Sequence, residues 1–419
     1  MTPELKGFLL VAGIKITAVF TALMIGVMFT TWLERRVSAW FQYRLGPNRV
    51  GPQGLLQPVA DGVKNFAKEE TLPDSVDRPL FLLAPAMTFV PAMLLFCVIP
   101  FGAPLPVAFD FSVPLLGRFV FDGVTPLMIA NLPVGFLFIL AISSLGVYGI
   151  VLAGWSSNNK YSLLGGMRAS AQMVSYEIAL GMSLITVMVV AGNVTLMEIV
   201  TVQQEALWLV FPLTFGFVLF AISALAETNR LPFDLPETES ELVAGYHTEY
   251  SAMRFSMFFI GEYGAIITMS ALMATFFFGG WDIPFTTWDD VRLEGGVVVA
   301  GTPSALKSVL THGVFLLKTF FFVFWYVWVR WTLPRFRFDQ LMALGWKILL
   351  PMALAYILVI AATVWAVIGE SPAISPQQGW VMFGVNVVVL VLVFGVLDRG
   401  RLVRGPGARL HRVGGTSGH

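Results

Sequence analysis

The chain has 419 residues, of which 57% are hydrophobic and only 12% charged. Soluble domains carry about twice that charged fraction, so a water-soluble globule, a disordered chain and a disulfide-rich or collagen-like scaffold are excluded. Twenty-six Lys and Arg balance 26 Asp and Glu, which leaves no net pull toward nucleic acid.

Crossing the hydrocarbon core of a membrane takes about 20 mostly apolar residues. Nine stretches meet that need, at about 8–32, 80–100, 127–153, 171–192, 207–227, 253–279, 309–331, 348–369 and 379–397. The expected fold is all-α. It is a polytopic membrane helix bundle of about nine transmembrane helices plus an amphipathic interfacial helix, all within one integral membrane domain over 1–419. The first stretch ends at Trp32-Leu33-Glu34-Arg35-Arg36 with no small-residue cleavage site, so it is a retained helix and not a signal peptide.

A Gly/Pro turn region over 45–54 follows, then the amphipathic segment over about 52–67. Leu55, Leu56, Val59, Val63 and Phe66 share one helical face, opposite Asp61, Lys64 and Lys68, a pattern suited to a membrane interface or the underside of a partner. Gly46 and Gly51 have phosphate-loop spacing, but Pro52-Gln53 stands where Gly-Lys-Ser/Thr is required. No Rossmann glycine pattern is present. Cys97 is the single cysteine, and the four histidines, His247, His312, His411 and His419, are too scattered for a paired metal or haem site. Segments 101–126 and 280–308 read as plain outer loops of mixed Gly, Pro and Asp.

With the N-terminus outside, 20 of the 26 Lys and Arg fall on inner segments, four on outer ones and two, Lys15 and Lys318, inside spans. That is a strong positive-inside bias, and it favours an odd number of spans with the basic tail 398–419 inside. The inner loop after span five inverts the trend. It carries Asp234, Glu237, Glu239, Glu241 and Glu249 against Arg254 alone. Within the spans, Glu177 follows Ser175-Tyr176, Glu262 precedes Tyr263, and Glu227 ends span five three residues before Arg230, within reach of a pair if the helix continues. Intramembrane charge is costly and is kept either as a self-satisfied structural pair or as a working group. The acids of this loop suit either a merely solvated acidic face or, leading to Glu262 and Glu177, a proton relay in which proximity and burial raise the carboxyl pKa values. Inner Arg residues beside Trp32, Trp40, Phe41, Tyr43, Phe336 and Phe338 suit either an interfacial anchor or a cavity for an amphipathic ligand such as a quinone.

Three strings then point one way: Leu33-Glu34-Arg35-Arg36 through Gly62-Val63-Lys64, Ala226-Glu227-Thr228-Asn229-Arg230-Leu231-Pro232-Phe233-Asp234 with Glu239 to Tyr246, and Pro334-Arg335-Phe336-Arg337-Phe338-Asp339. They closely resemble the H subunit of proton-translocating NADH–quinone oxidoreductase, respiratory complex I, over about residues 8–369. The resemblance implies a subunit without a redox centre of its own, at the junction with the peripheral arm. Quinone, either ubiquinone or menaquinone, would be the substrate, with iron–sulfur clusters and FMN on partner subunits. On the matching positions Glu34, Arg35, Arg44, Asp61, Arg168 and Arg230 would line or neutralise a quinone chamber. Glu177, Glu227, Glu237, Glu239, Glu241, Glu249 and Glu262 would form the proton path. The implied partners are peripheral-arm quinone-site and iron–sulfur subunits, small neighbouring membrane subunits, quinone and lipid, in a bacterial cytoplasmic membrane. The alternatives are the equivalent subunit of a membrane-bound hydrogenase or ferredoxin-linked complex, a stand-alone proton channel, or a pure scaffold. The ninth span departs from the eight that the family usually shows.

Overall fold

The computed structural model describes residues 2–114, 117–236, 239–284, 286–294, 297–367, 369 and 374–398. Glu237 and the basic tail beyond Asp398 lie outside the described residues, and of Glu239 the backbone alone is described. The first helix, α1 (Pro3–Phe41), starts with Thr2 accepting a bond from the Leu5 N–H at 3.3 Å and with proline at its first position. After a short 3₁₀ turn comes the amphipathic α2 (Gln57–Ala67), whose apolar residues Val59, Val63 and Phe66 are exposed. Next, α3 (Arg78–Leu94) contains Pro85 and Pro91 and tightens into a 3₁₀ turn at Leu95–Val98.

Two strands, β1 (Leu105–Val113) and β2 (Gly117–Thr125), then form an antiparallel hairpin. A second, smaller hairpin pairs β3 (Arg292–Glu294) with β4 (Val297–Ala300). Both fall in segments expected to be plain loops. The physical reason is cross-strand packing: Phe109 and Phe111 alternate with polar residues and stack on Phe121 and Phe119, with ring centroids 6.0 and 5.5 Å apart.

Between the hairpins run α4 (Gly135–Ser156), α5 (Lys160–Ala191), α6 (Leu196–Glu205), α7 (Thr214–Glu227), the single turn α8 (Glu239–Leu242) and α9 (Ala252–Phe277). After them come α10 (Ala305–Thr332), α11 (Phe338–Ala343), a π turn, α12 (Leu350–Val367) and α13 (Pro376–Asp398). Among the described residues eight helical runs are long and apolar enough to cross a membrane. They are α1, α3 with its 3₁₀ extension, α4, α5, α9, α10, α11 through α12, and α13. The run expected as span five is shorter, because α7 has only 14 residues. Pro212 has no N–H to donate and biases Phe211 away from helical geometry, so helix begins only at Thr214.

The main core gathers α5, α7, α9, α10 and α12, with Leu184, Phe220, Leu272, Phe277 and Ile360 all buried in one cluster. Where α4 meets α5, an added Cβ on Gly154 would stand 3.1 Å from Gly166 Cα, so only glycine lets these backbones approach so closely. The two lysines inside spans are capped by backbone. Lys15 Nζ reaches the Pro126 carbonyl at 2.7 Å and the Thr125 hydroxyl. Lys318 Nζ donates to the carbonyls of Phe278, Gly280 and Asp282 at 2.7, 3.0 and 2.6 Å, closing the C-terminal end of α9.

Candidate functional site

Two helices hold the inner loop between α7 and α9 in place. Gln172, fully buried on α5, donates through one amide nitrogen to the Ala226 carbonyl at 2.8 Å, Asn229 Oδ1 at 3.0 Å and the Phe233 carbonyl at 2.9 Å. Lower on the loop, Gly165 lies so near Gly245 that an added Cβ would sit 2.7 Å from its Cα. Tyr250 stacks on Phe81 with centroids 4.0 Å apart and donates to its carbonyl at 3.1 Å. The loop is therefore a fixed wall, tied to α3 and α5.

That wall, the inner end of α1, the first turns of α9 and the end of α10 enclose a chamber of about 1200 Å³. Arg35, Arg44, Arg230, Arg330 and Arg335 line it with Glu34, Asp234 and His247, and the aromatic rings of Phe255, Phe259 and Tyr263 form a stripe along one side. These three rings are spaced four residues apart on α9 and so share one helical face. The chamber is amphipathic: a basic polar rim with an aromatic side.

A continuous polar chain runs through its wall. Arg330 is ion-paired with Glu34, and Glu34 Oε2 accepts from the Tyr263 hydroxyl at 2.8 Å. The Arg230 guanidinium lies over the Tyr263 ring, 4.4 Å from its centroid. It also pairs with Glu262 at 3.3 Å, while Tyr246 donates to the other Glu262 oxygen at 2.7 Å. All of Glu34, Arg230, Tyr246, Tyr263 and Glu262 are buried. Behind Glu262 lies a second cavity of about 60 Å³, lined by Glu262, Glu227, Thr228, Asn229, Ser143 and Met173 among others. That volume has room for a few waters. Ser143 in turn donates to Glu177 at 3.4 Å.

The expected residues divide accordingly. Glu34, Arg35, Arg44 and Arg230 stand in the chamber wall. Asp61 is behind it, on α2, paired with Arg35 at 2.6 Å. Arg168 is paired with Glu241 at 2.7 Å and does not line the chamber. Glu262 and Glu227 share the small cavity with Ser143, the donor to Glu177. Glu241 is exposed, and Glu249 accepts from Asn159 Nδ2 at 2.6 Å, the residue that caps α5. The pair anticipated between Glu227 and Arg230 is replaced. The α7 helix stops at Glu227, and Arg230 turns to Glu262. Sequence reasoning assigns no site role to Gln172, Tyr246, Tyr263 or Arg330. The four-residue spacing of Phe255, Phe259 and Tyr263 is a sequence signal that marks the aromatic side of the chamber.

Electrostatics in the loops follow the same division. Burial raises the Asp61 carboxyl, but the Arg35 hydrogen bond and charge, with Gln57 and Lys64, bring it below its ordinary value. Burial pushes Asp234 up to about 6, reinforced by Glu262 and opposed by Arg335, 3.1 Å away, and by Arg230. Burial lowers the His247 imidazole, against the pull of Glu262.

Residues 14–361 match the family model described as NADH dehydrogenase. The chain is similar to an H subunit of NADH-quinone oxidoreductase from Koribacter versatilis, with 49% identity over 364 residues, 84% of this chain and 97% of that one. It is similar to the H subunit of Leptospira biflexa at 47% over 343 residues, 82% of this chain and 91% of the relative. An H subunit of Cytophaga hutchinsonii is 44% identical over 357 residues, covering 85% and 97% of the two chains.

Proposed function

We propose a role for the chain from one premise: it belongs to the H-subunit family of NADH-quinone oxidoreductase, the membrane subunit of the proton-translocating complex I. It is a multi-pass membrane protein whose partners are other subunits of that complex. The relatives do not favour the hydrogenase-type alternative. In this reading the large chamber admits the headgroup and first isoprenoid units of a quinone, ubiquinone or menaquinone, and the buried carboxylates pass protons from it into the membrane. The chain itself binds no redox group, and electrons arrive from an iron–sulfur cluster on a peripheral-arm partner, with FMN further out. Peripheral-arm subunits cover the inner face and small membrane subunits flank the helices. We place the N-terminus outside and the C-terminus inside a bacterial cytoplasmic membrane, a reading supported by the basic inner segments, with the shorter α7 segment as the ninth crossing.

The observation that carries this reading is the unbroken chain from Arg330 and Glu34 on the chamber wall, through Tyr263 and Arg230, to Glu262 and the small cavity it shares with Glu227. Quinone takes two electrons and two protons to become quinol. Until the protons arrive, the headgroup is an anion facing Arg230, which it draws away from Glu262. A unit charge about 8 Å away acts with about 2 kcal/mol at an effective dielectric of about 20, enough to change a proton equilibrium more than tenfold. Glu262 then takes a proton through Tyr246 or the cavity water, and Glu227 and Ser143 carry the change on toward Glu177. Asp61, held ionised by Arg35, fixes that arginine at the chamber rim.

A photoreactive quinone analogue bound to the whole complex tests the chamber. Label is expected on segments 34–47 and 230–263 and is expected to disappear with excess quinone. Label confined to other segments contradicts the assignment.

Asp234 gives the chamber a pH dependence with a definite sign. Its carboxyl is held up to about 6 in the fold, above its value of 3.8 in an unfolded chain. The fold therefore gains stability from this group as pH falls through about 6 toward 4, and the ionised form is held at a cost above 6. As pH falls through that window the wall loses a negative charge beside Arg335. The KM for quinone is expected to change with a midpoint near pH 6, measured from about pH 5 to 8, and the change is expected to vanish in Asp234→Asn.

A further inference from the structure

The helix α13 lies beyond residues 14–361, the span matched by the family model. Most of its surface is apolar and exposed, with Trp380, Val381, Val388, Val391 and Leu392 turned outward. Its mid-helix polar residue, Asn386, is instead completely buried. Asn386 Nδ2 donates to the Pro212 carbonyl. Its Oδ1 accepts from the Tyr356 hydroxyl at 2.7 Å and from the Phe215 N–H at 3.4 Å. Tyr356 packs edge-on against Phe215, centroids 5.0 Å apart.

These contacts meet the chain where helix geometry fails. The 14 residues of α7 rise about 21 Å, against a hydrocarbon core of about 30 Å. A helix of that length does not carry the backbone across the core by itself, and unsatisfied backbone groups at an end left within the core cost several kcal/mol each. Asn386 satisfies one carbonyl before the break and one N–H after it, so a side chain from α13 caps α7. At the other end of α7, Glu227 is buried, and its Oε2 has no hydrogen-bond partner among the described residues. With that oxygen unbonded, the helix that carries Glu227 sets much of its place beside the small cavity.

We propose that Asn386 is a positioning residue: α13 clamps the opened end of α7 and thereby fixes where Glu227 stands in the proton path. This rests on the reading of Glu227 as a proton carrier. With its N-terminus loosened, α7 is held at the other end by Gln172 on the Ala226 carbonyl, so Glu227 shifts by a small displacement with the helix rather than being released.

The test compares Asn386→Ala, Tyr356→Phe and Glu227→Gln in the whole complex reconstituted into liposomes. Amide exchange over residues 208–217 is expected to rise about tenfold or more in Asn386→Ala. The pH at which proton pumping is half-maximal is expected to move by about half a unit or more, and Tyr356→Phe, which removes one donor only, is expected to show the same changes at smaller size. If Asn386→Ala does not assemble, Tyr356→Phe carries both readouts. Unchanged exchange overturns the clamp. Faster exchange with an unmoved pH profile also overturns the proposal, since it leaves Asn386 a stabilising contact only. Full pumping in Glu227→Gln defeats the reading of Glu227 instead, and the exchange result still decides the clamp.

Discussion

Arg230→Met is expected to lower NADH–quinone reductase activity of the assembled complex by roughly 100-fold, while electron transfer to a soluble acceptor that bypasses the membrane arm stays unchanged. Arg230 is the common member of two interactions, the pair with Glu262 at 3.3 Å and the stacking on Tyr263 at 4.4 Å. Removing one partner of a buried ion pair leaves the other uncompensated, at a cost of about 3–5 kcal/mol. Glu262 would keep its bond from the Tyr246 hydroxyl but lose the guanidinium charge, and would answer that cost by holding a proton permanently. It then no longer responds to charge in the chamber. Arg230→Lys keeps the charge but not the planar fork that faces a ring and a carboxylate together, and is expected to lose about tenfold. Reductase rates within twofold of the native complex for Arg230→Met contradict the chain of contacts as a working unit.

Glu227→Gln is expected to abolish proton pumping, at least tenfold below the native ratio of protons to electrons, with normal assembly. The substitution conserves shape and leaves the Arg230 pair intact, because α7 ends at Glu227 and Arg230 is engaged with Glu262. Its structural cost is therefore small, and the loss measures the exchangeable proton itself. Two acids of the same inner loop serve as controls. Glu241 forms an exposed pair with Arg168, worth about 0–1 kcal/mol. Glu249 accepts a bond from Asn159 that glutamine can also accept. Both Gln variants are expected to pump within a factor of two of the native complex. Pumping ratios in liposomes, taken beside reductase rates, separate the three.

Hydropathy makes the membrane bundle legible because long apolar runs have few other solutions, and charge asymmetry makes Glu177, Glu227 and Glu262 stand out. The break in span five is not legible. Residues 207–226 are predominantly apolar, and one proline in such a run marks either a kink or an end; only the neighbours decide. Those neighbours include Asn386, from a helix that lies beyond the residues matched by the family model. The hairpins escape notice because Gly and Pro mask the two-residue alternation of Val107, Phe109 and Phe111. The chamber is half visible. Arg35 and Arg44 sit in recognisable strings, but Arg330 meets Glu34 from the far end of the chain, a contact that local pattern does not encode. The carboxylates expected along one proton path stand in separate environments: Glu262 of α9 turned inward, and of the loop acids Glu241 exposed and Glu249 tied to the cap of α5.

In the proposed mechanism, charge arriving in the chamber changes the protonation of buried carboxyl groups behind it. An infrared difference spectrum of the whole complex, recorded between oxidised and reduced quinone, observes this directly through the carboxylic-acid stretching region. The native complex is expected to show a band there, altered or lost in Glu262→Gln and again in Glu227→Gln. A spectrum that is flat in that region, or one identical in all three proteins, contradicts the mechanism.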